Sequence, residues 1–273
     1  MAARGPVYGT SERPARRRLR SVSFDVAADA YDAFMGRYSV LLAPQMADLA
    51  GVAKGQRVLD VGCGPGALVR ELVARVGPDA VAAVDPSESF VAAASARYPG
   101  VDVRLASAEA LPFGDDEFDV ALAQLVVHFM RDPAAGLVEM RRVTRPGGLV
   151  VASVWDHSGG LGPLGLFWRL ARELDPGVRD EGGLPGARVG HLAQLFAEAG
   201  LRDVEERTLV ADLEHPTFDA WWEPFTKGVG PAGAYVATLS PERQAALRER
   251  ARTELGPGPF VIPARAWAAR AIS

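Results

Sequence analysis

A carboxylate, a run of alternate glycines and a second carboxylate follow one another early in this chain: Asp60, then Gly62-Cys63-Gly64-Pro65-Gly66, then Asp85. Glycines between a strand and a helix leave the backbone bare at the helix N-terminus, where N–H groups converge on a ligand. That is the layout of a nucleotide-type site, although turns also need glycine for their own geometry. The spacing departs from the G-x-G-x-x-G of pyrophosphate-binding loops, and Asp60 just ahead of it suits a cation better than a doubly anionic phosphate. Asp85, in Ala83-Val84-Asp85-Pro86-Ser87, can accept hydrogen bonds from both hydroxyls of a ribose; a helix cap or turn would use the same residue otherwise.

These residues need strands that end at one rim. Val58-Leu59-Asp60-Val61 reads as a buried parallel strand stopped by glycine, and the following helix has Leu68, Leu72 and Val76 on its inner face and ends at Gly77-Pro78. The alternation repeats as strand 80–84, helix 87–98, strand 101–105 and strand 118–123. Next comes a helix opened by Asp132 with Pro133 in its first turn and closed by Pro146-Gly147-Gly148, then strand 149–154. Strands alternating with single helices predict an α/β fold, a Rossmann-like seven-stranded and mostly parallel sheet with helices on both faces. Helical spacing over 24–50 predicts an N-terminal helical cover. Helices are expected near 166–174 and 189–199, and strands near 204–213 and 260–272. Between these last two strands lies a segment too long for a hairpin, with a helix over 241–255, which must form a helical insertion or lid before the last strand.

The organisation expected is a solvated basic tail over 1–22 and a single domain over 23–273. That domain has a core over 51–156, a substrate-side elaboration over 157–257 and a closing strand over 258–273. At 273 residues and 48% hydrophobic the chain can bury one large core. A net charge of -4 gives no basic field to draw it to nucleic acid or anionic lipid, so a small-molecule partner is expected. Cys63, the lone cysteine, permits no intramolecular disulfide and no paired-cysteine metal site, which favours a reducing cytoplasm and no metal. No apolar run reaches the roughly 18 residues that would span a bilayer.

The stretch Val58-Leu59-Asp60-Val61-Gly62-Cys63-Gly64-Pro65-Gly66 resembles the first motif of class I S-adenosylmethionine-dependent methyltransferases. The resemblance continues in the same order through Asp85, through Ala106-Ser107-Ala108-Glu109-Ala110-Leu111-Pro112-Phe113 and through Arg145-Pro146-Gly147-Gly148. It covers roughly 24–155 and is nearest the small-molecule branch that includes ubiquinone- and menaquinone-biosynthesis methyltransferases. It implies S-adenosyl-L-methionine as cofactor. Asp60, Gly62, Cys63, Gly64 and Gly66 then approach its methionine and ribose parts, and Asp85 and Pro86 the ribose. Ser107, Ala108 and Glu109 flank the adenine, and Gln124 reaches cofactor and substrate. Many relatives carry Asp where this chain has Ser107, so a charged hydrogen bond is replaced by a neutral one. The segment 31–38 resembles the family's cover, which would close Tyr31 and Arg37 over the cofactor's amino-acid end; a surface helix with a packed tyrosine explains the same letters.

The activity implied is transfer of a methyl group to a small-molecule acceptor by in-line displacement, in which the protein chiefly aligns the partners and excludes water. If the acceptor needs a general base, His128 after the fourth strand is the best placed by topology, and Asp156 and His157 share that rim; packing beside Phe129 is the plainer use of His128. His191 and His215 read as structural. Trp221, Trp222 and Phe225 could wall an apolar acceptor pocket, and equally could be the insertion's own core. The competing readings are a non-catalytic S-adenosylmethionine-binding regulatory module and an NAD-dependent oxidoreductase.

Overall fold

The computed structural model describes residues 28–273; the segment 1–22, expected as a basic tail, lies outside the described residues. The chain opens with α1 (Ala28–Tyr31), a π-helical turn (Asp32–Gly36) and α2 (Arg37–Leu49). It then alternates through β1 (Val58–Val61), α3 (Ala67–Val76), β2 (Val81–Asp85), α4 (Glu88–Arg97), β3 (Asp102–Leu105), β4 (Phe118–Gln124), α5 (Pro133–Val143) and β5 (Thr144–Trp155). The remainder is α6 (Gly165–Leu174), α7 (His191–Glu198), β6 (Arg202–His215), α8 (Phe218–Trp222), α9 (Gly230–Thr238), α10 (Pro241–Leu255) and β7 (Phe260–Ile272).

The seven strands form one sheet in the order β3-β2-β1-β4-β5-β7-β6. The first five pair in parallel, and β7 enters antiparallel between β5 and β6. The chain runs outward from β1 to β3 and returns to β4 on the other side of β1. This reversal opens a crevice beyond the carboxyl ends of β1 and β4, where ligands of open α/β sheets bind. β1 and β2 are buried along their whole length, which is why their letters are almost all apolar and the two aspartates stand out. One face of the sheet packs Leu42, Met46, Leu68 and Leu72 from α2 and α3, and the other packs Leu137, Met140 and Phe196 from α5 and α7.

Local chemistry explains most boundaries. The Asp132 carboxylate accepts from the Ala135 N–H and Ser87 caps α4 through the Phe90 N–H, as expected from their types. The expected closure of α5 at Pro146-Gly147-Gly148 needs correction, because the helix ends at Val143 and β5 begins at Thr144. Thr144 pairs with Phe118 and Leu149 with Val120, so the intervening Arg145–Gly148 stretch bulges out of the ladder. Gly147 turns it at φ +80°, and a Cβ on Gly148 would lie 2.6 Å from the Asp119 carbonyl oxygen.

The segment between β6 and β7 forms α8, a 3-10 turn (Glu223–Lys227), α9 and α10. It shares an aromatic core with α6, in which the Phe167 and Phe225 rings stack at 4.5 Å and Trp221 meets Phe225 at 5.0 Å. Phe34 of the N-terminal cover joins the same core edge-on to Phe225. Among the described residues no helix is long and apolar enough to cross a membrane.

Candidate functional site

Asp60 sits on β1 in register with Ala83 and Leu122, so its carboxylate is flanked by apolar strands and is only 1% exposed. Neither oxygen has a hydrogen-bond partner among the described residues. Burial, and then the charge of Asp85, push its pKa up to about 8. A buried carboxylate without partners is costly, and the natural way to satisfy it is a cationic or hydrogen-bond-donating ligand.

The three glycines beside it divide their work. A Cβ on Gly62 would lie 2.5 Å from a Val126 methyl, and one on Gly66 would lie 2.4 Å from the Tyr98 ring. Both therefore make room for protein. Gly64, at φ +53°, has none of the described residues within 4 Å of where its Cβ would stand, so its face of the loop is the open one among them. The Gly64 N–H donates to Asp85 Oδ2 and the Ser87 N–H to Asp85 Oδ1, which orients the carboxylate and leaves a lone pair on each oxygen. Burial raises the Asp85 pKa against these two bonds. The Cys63 thiol is driven well above its ordinary pKa by burial and by the two aspartates, so it remains a thiol.

The Ala106 N–H donates to the Asp85 carbonyl, which sets Ser107 and Ala108 just beyond the ends of β2 and β3. Glu109 is otherwise engaged: its carboxylate accepts from the Arg131 and Asp132 N–H groups and staples this stretch to the start of α5. Pro86 is exposed at the start of the turn into α4. The Gln124 amide donates to the Ser39 carbonyl, while its own Oε1 is buried without a partner among the described residues. Tyr31 packs on Phe90 at 5.4 Å and feels the Asp85 charge, and Arg97 ties the cover down through Asp32 at 2.6 Å. Arg37 points elsewhere, donating to the Glu214 carbonyl at the end of β6.

Beside Tyr31 lies a second feature, an apolar cavity of about 40 Å³. Its walls are Tyr31, Phe34 and Met35 of the cover, Leu125 and Phe129 after β4, Trp155 and His157 after β5, Leu164, Glu181 and the Val229–Ala232 stretch. Space of that size holds little more than water, so a larger occupant requires the cover or the 229–232 stretch to move aside. His157 Nε2 is buried without a partner among the described residues, and burial holds this ring down to about 4 against the charges of Asp180 and Asp156. Glu181, 4% exposed, accepts from Trp168 Nε1 at 2.8 Å, and burial pushes its carboxyl up to about 7.

His128 stands behind this wall. The 3-10 turn Val127–Phe129 directs Phe129 to the cavity and leaves the His128 ring buried, 3.9 Å from Phe129 and 5.6 Å from His157. Burial and then His157 drive it well below its ordinary pKa, so it is neutral. Asp156 is committed to an ion pair with Arg265 and to the Gly159 N–H. His191 accepts from the Gly186 N–H, and the His215 ring lies 3.2 Å from the Tyr38 hydroxyl, as structural roles require. Trp221, Trp222 and Phe225 are core residues of the insertion; Trp221 and Phe225 border a smaller cleft with Arg37 and His215, and none of the three lines the larger cavity. Their own segment reaches that cavity through Val229, Gly230, Pro231 and Ala232.

A family model described as a methyltransferase domain matches residues 59–152. The demethylmenaquinone methyltransferase of Renibacterium salmoninarum is 33% identical over 180 residues, covering 61% of this chain and 75% of its own length. Among solved structures, the YcgJ protein of Bacillus subtilis superposes with a TM-score of 0.55 at 19% identity, over 85% of this chain and 97% of that one. A phosphoethanolamine N-methyltransferase of Haemonchus contortus, solved with S-adenosylhomocysteine, gives 0.56 at 16% identity, over 92% of this chain and 57% of that one. The unpartnered Asp60 carboxylate, the open face of Gly64 and the oriented Asp85 carboxylate suit a ligand carrying positive charge at one end and a ribose beyond it. The chain belongs to the class I S-adenosylmethionine-dependent methyltransferases, and S-adenosylmethionine is its cofactor.

Proposed function

We propose that this enzyme methylates a small, largely apolar molecule bound in the cavity between the N-terminal cover, the rim of β4 and β5, and the 229–232 stretch. The observation that carries this reading is the position of Tyr31. It forms one wall of the apolar cavity and also packs against Phe90 within the field of Asp85, so cavity and glycine loop share a boundary.

On this reading Asp60 and the open face of Gly64 receive the amino-acid end of the cofactor, Asp85 the ribose, and Ser107 and Ala108 the adenine, while Tyr31 covers the junction. Gly62 and Gly66 serve by shaping the loop, and Gln124 by holding the cover through Ser39. S-adenosylmethionine, when bound, supplies the activated methyl group. The residues of the chain hold the acceptor against it, exclude water behind Phe34, Leu125, Phe129 and Trp155, and keep the reacting partners in line. His128, neutral and enclosed, supports His157 on the cavity wall.

Incubation with methyl-labelled S-adenosylmethionine and, separately, small-molecule extract, RNA, DNA and protein tests the substrate class. Label in the solvent-extractable small-molecule fraction alone is expected. Label fixed in precipitated nucleic acid or protein would contradict the proposal.

A further inference from the structure

Among the described residues the cavity wall is aromatic and aliphatic except at Glu181, His157 and the Tyr31 hydroxyl. None of the described lysines and arginines lines it. Glu181 comes from the polar loop between α6 and α7, carried to the wall by the Trp168 indole, which holds Oε2. Its Oε1 accepts no hydrogen bond from the described residues, in a setting where a carboxylate has lost nearly all of its water.

We propose that Glu181 anchors the methyl acceptor by accepting a hydrogen bond from it, and so selects apolar molecules that carry an O–H or N–H donor and rejects anions. This rests on the reading of the cavity as the acceptor site. Above about pH 7, where the probes are titrated, Glu181 is ionised and can only accept, so the ligand must bring the donor. An apolar body is taken up by Phe129, Trp155, Leu164 and Val229 through ordinary burial. An anionic acceptor would put two like charges in a site of low dielectric with no cation from the described residues on the wall to offset them. The raised pKa agrees with this, because a carboxyl driven up by burial gains most from a donor that restores its charged form.

The test uses the full chain loaded with S-adenosylhomocysteine, whose binding is titrated first on every variant. The probes share one body: 1-naphthol and 1-naphthylamine offer a donor, 1-methoxynaphthalene offers none, and 1-naphthoate is an anion. Wild-type protein is expected to bind 1-naphthol or 1-naphthylamine at least tenfold more tightly than either of the others, with the stronger of the two showing whether oxygen or nitrogen is preferred. In Glu181→Gln the amide can donate to a carboxylate, so discrimination against 1-naphthoate should fall at least tenfold. In Glu181→Leu the donor advantage over 1-methoxynaphthalene should vanish. With S-adenosylhomocysteine binding intact, equal binding of all probes, binding of none, or unchanged discrimination in Glu181→Gln would overturn this assignment. Failure of wild-type protein to bind S-adenosylhomocysteine would instead overturn the cofactor site itself, and the assignment with it.

Discussion

The two ends of the proposed active site are built in opposite ways. The cofactor end is a short run of backbone: β1, its glycine turn and the tip of β2 set Asp60, Gly64 and Asp85 together through register and two N–H bonds. The acceptor end is assembled from side chains of the cover, the β4 and β5 rims, the loop bearing Glu181 and the insertion, none of them close in sequence. The first region is polar, with carboxylates awaiting charge; the second is apolar, with one acid and one imidazole set into it. A contiguous backbone site serves a fixed ligand, whereas a side-chain mosaic can change its ligand by changing loops.

The sharpest way to break this division is at Trp221, which could have belonged to the acceptor wall. Packed against Phe225 and 3% exposed, it should act as core: Trp221→Ala is expected to cost about 3–5 kcal/mol in urea unfolding. An unchanged unfolding midpoint with a raised acceptor KM would return Trp221 to the pocket.

The glycine loop offers a contrast within a single turn. Gly66→Ala drives a methyl into Tyr98 at φ +101° and should destabilise the fold by about 2 kcal/mol or more. Gly64→Ala meets open space at φ +53°, so its stability loss should stay near ~1 kcal/mol while S-adenosylhomocysteine affinity falls about tenfold. The reverse pattern in melting and titration experiments would mean that Gly66, not Gly64, faces the ligand.

A different kind of effect belongs to Asp60. Its pKa in the fold is about 8 against an ordinary 3.8, so between those values the folded form holds a proton that the unfolded chain has released. The Asp60 share of the ligand-free protein's stability, read as the difference between wild type and Asp60→Asn, should therefore fall as pH rises from about 4 to 8 and level off above that. A cationic ligand end beside Asp60 lowers its pKa again, so cofactor binding at pH 7 should release up to about one proton. Calorimetry in phosphate and Tris buffers reads this as a difference in apparent enthalpy, which Asp60→Asn should abolish; equal enthalpies for the wild-type protein would contradict it.

What could be read in the letters follows the same division. The Asp132 cap and the 241–255 helix are local matters of residue type and stand where spacing puts them, whereas β5 starts at Thr144 and β6 runs from Arg202 to His215, beyond the bounds their letters suggest. The glycines were visible but their separate duties were not, because Val126 and Tyr98 reach Gly62 and Gly66 from distant stretches of chain. Glu181 carried no signal in a loop rich in glycine and charge, since only the fold brings Trp168 and the cavity to it. Arg37, which donates to the Glu214 carbonyl, and Trp221 and Trp222, which pack in the insertion's aromatic core, make contacts with distant stretches of chain that their letters do not show.

The most direct measurement is calorimetric titration of wild-type protein and Asp85→Ala with S-adenosylhomocysteine, with NAD run alongside. Wild-type protein should bind S-adenosylhomocysteine near micromolar, about -8 kcal/mol, and NAD not at all, while Asp85→Ala should weaken the former about a hundredfold. Binding of NAD alone, or S-adenosylhomocysteine affinity that Asp85→Ala leaves untouched, would contradict the placement of the cofactor on this loop.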